Sequence, residues 1–185
     1  STAPGLPTGM AALDGVLPGG GIPRGRISEW LAPAGLGKTT LARSLVAATL
    51  RAGHGVAWID ATRTLDPRDW ARALESTWIV RPATPVRAAW CADLLLRSGA
   101  FALVVLDGAP VLPRPIAVRL AQLAREADAA LLLLGDGTRA TDGGSESASL
   151  AVFSARRESQ GANLVCICRN KYRHNYCYFQ CFPTR

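Results

Sequence analysis

The sequence predicts an α/β fold: a mostly parallel sheet flanked by helices, with antiparallel strands near the C-terminus. Three observations lead there. Short apolar runs such as "FALVVL" (101–106) and "AALLLL" (129–134) have the length of buried strands. They alternate with segments of helical period, the pattern of strands joined by crossover helices. A glycine-rich loop, "APAGLGKT" (32–39), stands between the first strand candidate and the first long helix.

In chain order, a short helix is expected over 9–16, followed by the glycine-rich turn "PGGGIPRG". Strands are expected over 26–32, 55–60, 77–81, 101–106 and 129–135, where apolar and β-branched residues cluster. Helices are expected over 38–52, 67–76, 84–98 and 115–127. The first long one begins at the loop and stops at Gly53, and the third has Pro85 near its start and Gly99 at its end. The stretch "GDGTRATDGGSESAS" (135–149) is rich in Gly, Ser, Thr and Asp and reads as a loop. Two strands near 148–157 and 163–169 make an antiparallel pair around "ESQGAN". The expected division is one core domain over 1–170 and a C-terminal tail over 171–185, aromatic and cysteine-rich, with no role that its composition explains.

The 185 residues suffice for one domain with a substantial core. No apolar run reaches the roughly 18–20 residues of a membrane-spanning helix, and "STAPGLPTGM" lacks the regions of a secretion signal. A cytoplasmic protein without a membrane partner is expected. The net charge of +7 is unevenly spread: residues 161–185 hold Arg169, Lys171, Arg173 and Arg185 and no acid. The mild remaining excess is almost all arginine and fits compositional bias better than a nucleic-acid footprint. Cys91 falls in a helical stretch and reads as core. Cys166, Cys168, Cys177 and Cys181 surround His174, but their spacing departs from the paired C-x2-C of zinc sites, which favours reduced thiols.

The loop carries the chemistry. Gly35 and Gly37 let backbone N–H groups converge on phosphate oxygens. Lys38 brings a positive charge to the β and γ phosphates, and Thr39 brings a hydroxyl to Mg²⁺. A helix N-terminus at 38 adds partial positive charge. The candidate nucleotide-binding residues are Ala34, Gly35, Gly37, Lys38, Thr39 and Thr40. Asp107, closing "ALVVLD", is the candidate acid that holds Mg²⁺ through water, with turn capping as its alternative role. A nucleotide with Mg²⁺ is the expected ligand; the loop reads phosphates and not the base, so ATP and GTP stay open here.

"TGMAALDGVLPGGGIPRGRISEWLAPAGLGKTTL", "AWIDATRTLDP" and "SGAFALVVLDG" resemble the ATP-binding core of the RecA recombinase family, densely over 8–108 and thinly over 109–157. The resemblance implies a twisted parallel sheet in which another strand, here 129–135, separates the phosphate-loop strand from the Asp107 strand. It also implies adenine contact at Asp66 in "LDP", with the accompanying aromatic displaced to Trp70 beside Asp69. Four departures follow from the same comparison. The family's catalytic glutamate falls at Thr62, and threonine is no general base near neutral pH, so no catalytic residue is assigned and efficient ATP hydrolysis is not expected. Asp60, Asp66 or a residue contributed across an interface are the candidates for a substitute base, and Asp60 reads as structural. The γ-phosphate-sensing glutamine falls at Gly137, or at Asp136 or Thr138 with a one-residue shift. The loop 136–149, which contacts single-stranded DNA in the family, has one basic residue, Arg139, against Asp136, Asp142 and Glu146, and no aromatic. Direct DNA binding is therefore expected to be weak. The family's polymerisation arm and C-terminal DNA-binding domain are expected to be missing.

A RecA-like core without recombinase parts is similar to the ImuA accessory proteins of the bacterial SOS mutagenesis cassette. That resemblance implies a role in translesion synthesis through contacts with the RecA recombinase, an ImuB-like polymerase subunit and an error-prone polymerase, as a monomer or a weak self-associator. A DNA-dependent ATPase is the competing reading. A cell-division inhibitor of the SulA type is the third, and the intact loop at Lys38 argues against it.

Overall fold

A parallel strand offers side chains to both faces of its sheet, so runs such as "ALVVLD" demand cover on two sides. A computed structural model of the chain describes residues 4–31, 35–70, 76–108, 110–136, 153–157 and 162–166, the last two stretches as backbone. In it, β1 (Arg26–Leu31), β2 (Val56–Asp60), β3 (Thr77–Val80), β4 (Leu103–Asp107) and β5 (Ala130–Gly135) form one sheet in the order β1-β5-β4-β2-β3. Every pair is parallel. The last strand, β5, lies between β1 and β4, as the resemblance implied. A separate antiparallel pair, β6 (Phe153–Arg157) with β7 (Ala162–Cys166), runs beside β1.

Helices cover both faces. On one side α2 (Lys38–Arg51) buries Leu41, Ala42, Leu45, Val46, Ala48 and Thr49, a stripe at helical spacing. Thr49 is tolerated there because its hydroxyl donates to Leu45 O at 2.8 Å. This layer packs on Trp30, Val56, Trp58, Leu103, Val105, Leu132 and Leu134. On the other side α3 (Ala88–Ser98) and α4 (Arg114–Glu126) cover Ile27, Ala57, Ile59, Val104, Leu106, Leu131 and Leu133. Cys91 is buried in that layer, as expected.

Element limits moved where local chemistry intervened. The expected helix 9–16 is one turn, α1 (Ala11–Asp14), anchored by Asp14 Oδ1, which accepts from Thr8 N (2.8 Å) and Thr8 Oγ1 (2.7 Å). The expected helix 84–98 opens as a 3₁₀ turn at Pro85–Arg87 before α3 begins. Of the expected helix 67–76, the 3₁₀ turn Pro67–Trp70 is seen, and residues 71–75 lie outside those described. The strand expected over 101–106 starts at Leu103 and runs on to include Asp107. The loop after β5, from residue 137, and the tail 171–185 also lie outside the described residues.

The turn "PGGGIPRG" closes an isolated antiparallel bridge between Leu6 and Ile22, with N···O distances of 2.8 and 2.7 Å. A Cβ on Gly21 would stand 2.2 Å from Leu6 O, so only glycine fits that crossing. Because all five strands of the main sheet are parallel, Leu31, Asp60, Val80, Asp107 and Gly135 end on one edge. Open α/β sheets gather ligands along that edge.

Candidate nucleotide-binding site

The loop from β1 to α2 reaches this edge. Its described part shows Gly35 at φ 80° and Gly37 at φ 81°, both left-handed. Among the described residues nothing lies within 4 Å of where a Cβ on either would stand. Two glycines in that conformation beside open space are what a backbone cradle for phosphate requires. Gly37 passes directly into α2, so Lys38, Thr39 and Thr40 occupy the first helical turn, where N–H groups lack helical partners. Thr39 and Thr40 are exposed at that turn. Ala34 lies outside the described residues.

Lys38 bends toward the sheet. Its Nζ donates to the Gly135 carbonyl at 2.6 Å and faces Asp136 Oδ1 at 3.4 Å, both at the end of β5. Asp107 ends the adjacent strand, partly buried. Burial pushes its carboxyl up to about 6; the Lys38 ammonium opposes that rise, while the charges of Asp60 and Asp136 add to it. Lys38, Asp107 and Asp136 therefore act on one another at the strand ends, with the hydroxyl of Thr39 at the start of α2. The cradle and donor set fit a nucleotide with Mg²⁺: Gly35, Gly37, Lys38 and Thr40 for phosphates, Thr39 and Asp107 for the metal. When bound, the metal supplies neutralisation of phosphate charge.

Thr62 stands beside this cluster. Ala61 N donates to Asp107 O at 3.0 Å, and the Thr62 methyl would lie 2.4 Å from a Cβ on Gly108. The position is thus at the strand end that carries Asp107, and its side chain offers a hydroxyl 3.0 Å from Thr64 Oγ1. Asp60 is fully buried and already engaged: it accepts from Thr64 N (3.0 Å), Leu65 N (3.3 Å) and Arg81 Nε (3.0 Å). Such a carboxylate holds a loop and is in no position to accept a proton from water. Asp66 is bound by Arg68, through Arg68 N at 3.0 Å and the guanidinium at 2.7 Å, and this partner holds its carboxyl below the usual range. Trp70 does not present a ring at the surface; it is 3% exposed, edge-on to Trp58 at 4.7 Å, with the Arg43 guanidinium 5.3 Å from its centroid.

Two participants escaped the sequence reading. Arg81 follows β3, binds Asp60, and donates through its other nitrogen to Leu65 O at 2.9 Å. The Asp136 carboxylate, considered only as a shifted alternative for glutamine, sits on the phosphate-loop lysine. A charged residue just past a parallel strand, next to the strand ending in Asp60, was the available signal for Arg81.

The model of the RecA N-terminal domain matches residues 2–120, which contain the loop, Thr62, Asp66 and Asp107. The chain belongs to the RecA family. It is 43% identical to Protein RecA of Salinispora arenicola and 45% identical to Protein RecA of Mycobacteroides abscessus, each over 114 residues. Protein RecA of Leifsonia xyli is also 45% identical over 114 residues. Each match takes 59% of this chain, and the chain spans about a third of those relatives' length (32–33%). The family model stops short of β5, so Gly135 and Asp136 lie beyond the RecA-like match.

Proposed function

We propose that this RecA-family chain is an accessory protein of SOS-induced translesion synthesis, most like ImuA, in which nucleotide and Mg²⁺ serve as structural ligands. It acts by contact with RecA and the mutasome polymerase subunits. The single observation that carries this is the Thr62 hydroxyl next to the Asp107–Gly108 strand end: it supports reading Gly35, Gly37, Lys38 and Asp107 as a nucleotide site in which the expected position of the base holds none. Neither nearby acid substitutes, since Asp60 is clamped by Arg81 and Asp66 by Arg68. Support for partner contact comes from Trp78 on the outer strand β3 and Trp90 on α3, which are 65% and 59% exposed. Large aromatics in that setting suit an interface.

The test is steady-state ATP turnover with and without single-stranded DNA, beside direct binding of a fluorescent ATP analogue. Binding that Lys38→Ala abolishes, with turnover no faster than that variant's, is the expected result. DNA-stimulated turnover lost in Lys38→Ala would replace this reading by the DNA-dependent ATPase, which the complete set of Lys38, Thr39 and Asp107 favours. Capture of RecA and of the polymerase subunits by the full chain tests the partner half of the reading.

A further inference from the structure

We propose that Asp136 is a specificity-determining residue of the phosphate site: with no nucleotide present its carboxylate holds the Lys38 ammonium, so phosphates carrying a divalent cation are favoured over free ones. This rests on the nucleotide-binding reading above and adds a selectivity to it. The geometry is direct. Lys38 Nζ is fixed by the Gly135 carbonyl at 2.6 Å and pairs with Asp136 Oδ1 at 3.4 Å. The lysine side chain is 11% exposed and the aspartate 84% exposed. The ammonium is therefore built into the fold, and the carboxylate meets it from the solvent side, the side from which a phosphate arrives.

Charge decides the consequence. Asp60, although paired with Arg81 at 3.0 Å, is also felt at Asp107, but it is fully buried and does not meet Lys38 from solvent as Asp136 does. Asp107 and Asp136 both act on Lys38, and their mutual repulsion is one cause of the raised Asp107 carboxyl. A free polyphosphate that displaces Asp136 must lie against two carboxylates at close range, which opposes its entry even in a partly hydrated site. A divalent cation on the phosphates cancels most of that repulsion, because the complex carries two fewer negative charges. With asparagine at 136, Lys38 keeps its Gly135 anchor, the competing anion is gone, and metal-free phosphate gains most.

The experiment titrates the full chain with a fluorescent ADP analogue, mant-ADP, in Mg²⁺ and in EDTA, for wild type, Asp136→Asn, Asp136→Ser and Lys38→Ala. Both Asp136 variants are expected to bind mant-ADP about tenfold tighter in EDTA and less than about threefold tighter in Mg²⁺, as removal of one nearby charge implies. The EDTA gain should shrink at about 0.5 M KCl, where partly exposed charges are screened. Inorganic phosphate should compete for mant-ADP more strongly in the Asp136 variants than in wild type, a readout independent of the adenine end. Thermal melting at the wild-type temperature shows that the exposed position is not a folding determinant. Equal gains in Mg²⁺ and EDTA, no gain, or a loss would overturn the assignment to Asp136 while leaving nucleotide binding intact. Wild-type binding that is absent, or unchanged in Lys38→Ala, would overturn the nucleotide reading itself.

Discussion

Thr62 follows β2 and Asp107 ends β4, and each makes a sharp expectation. Thr62 is exposed, and the space on its solvent side accepts a longer side chain. Thr62→Glu puts a carboxylate where the family has its base, and general-base assistance is worth roughly 10²–10⁴ in rate. Phosphate release should rise from the Lys38→Ala background to a measurable rate; no rise would show that Thr62 is not what limits turnover. Asp107 gives a pH dependence. Its folded carboxyl is raised to about 6 from 3.8, so between those values the folded protein binds more protons than the unfolded one. Stability from this group is therefore greatest at the acid end and falls as pH rises through that window. Asp107→Asn should stabilise the metal-free protein above about pH 6, by at most about 3 kcal/mol at roughly 1.4 kcal/mol per unit. The gain should vanish near about pH 4, where the wild-type group is protonated in the folded state. Denaturant unfolding of both proteins across that range, in EDTA, checks the sign; a gain that grows toward acid would be inconsistent with a raised carboxyl.

The turn after β2 shows how an element is held without a regular ladder. Arg63 has φ 59°, a left-handed conformation that a side chain adopts only when its surroundings insist. Here they do: Asp60 grips Thr64 N and Leu65 N from within the core, and Arg81 ties Asp60 to Leu65 O. Arg81→Ala leaves a fully buried carboxylate without its cation. Removal of one partner of a buried pair destabilises by about 3–5 kcal/mol, and because Arg81 is itself 42% exposed a loss of about 2 kcal/mol is the expected outcome in urea unfolding. Arg81→Lys should recover part of it, while loss below about 0.5 kcal/mol would mean that the turn is set by other contacts. This element also shows the reach of sequence reading. The phosphate loop was legible because its chemistry dictates residue types at fixed spacing within a few positions. The pairs Arg81–Asp60 and Lys38–Asp136 join residues 21 and 98 positions apart, and only the strand order brings them together. Strand existence was legible from apolar runs; the shortened α1 and the 3₁₀ entry to α3 were not, because a side-chain anchor at Asp14 and the ring of Pro85 decide them locally.

At the scale of the whole molecule, the two sides of the sheet carry different burdens. The α2 side carries the candidate nucleotide loop and buries Trp58 and Trp70. The α3 side leaves aromatic surface in water. Trp78 lies in register with Ala57, hence on the α3 side, and meets Phe101 edge-on at 5.7 Å, while Val86, Trp90 and Leu94 follow one another at intervals of four and are all exposed. Stability does not require that exposure, since Ala88, Ala92 and Leu96 already supply the buried stripe of α3. A face of this kind is where contact with RecA or a polymerase subunit is expected to fall, at a distance from the nucleotide loop. Trp90→Glu should leave the melting temperature and mant-ADP affinity within error of wild type. It should weaken capture of RecA, the partner proposed above, by at least about tenfold, because an exposed tryptophan at an interface commonly contributes 2 kcal/mol or more. Asp93 must be left alone in such an experiment, since it pairs with Arg97 and Arg119 and links α3 to α4. If Trp90→Glu binds RecA and the polymerase subunits as wild type does, the contact lies elsewhere, and Trp78 at the outer strand becomes the next position to change. If capture falls while nucleotide affinity holds, the two faces act separately, and the nucleotide stabilises the chain without being part of the contact.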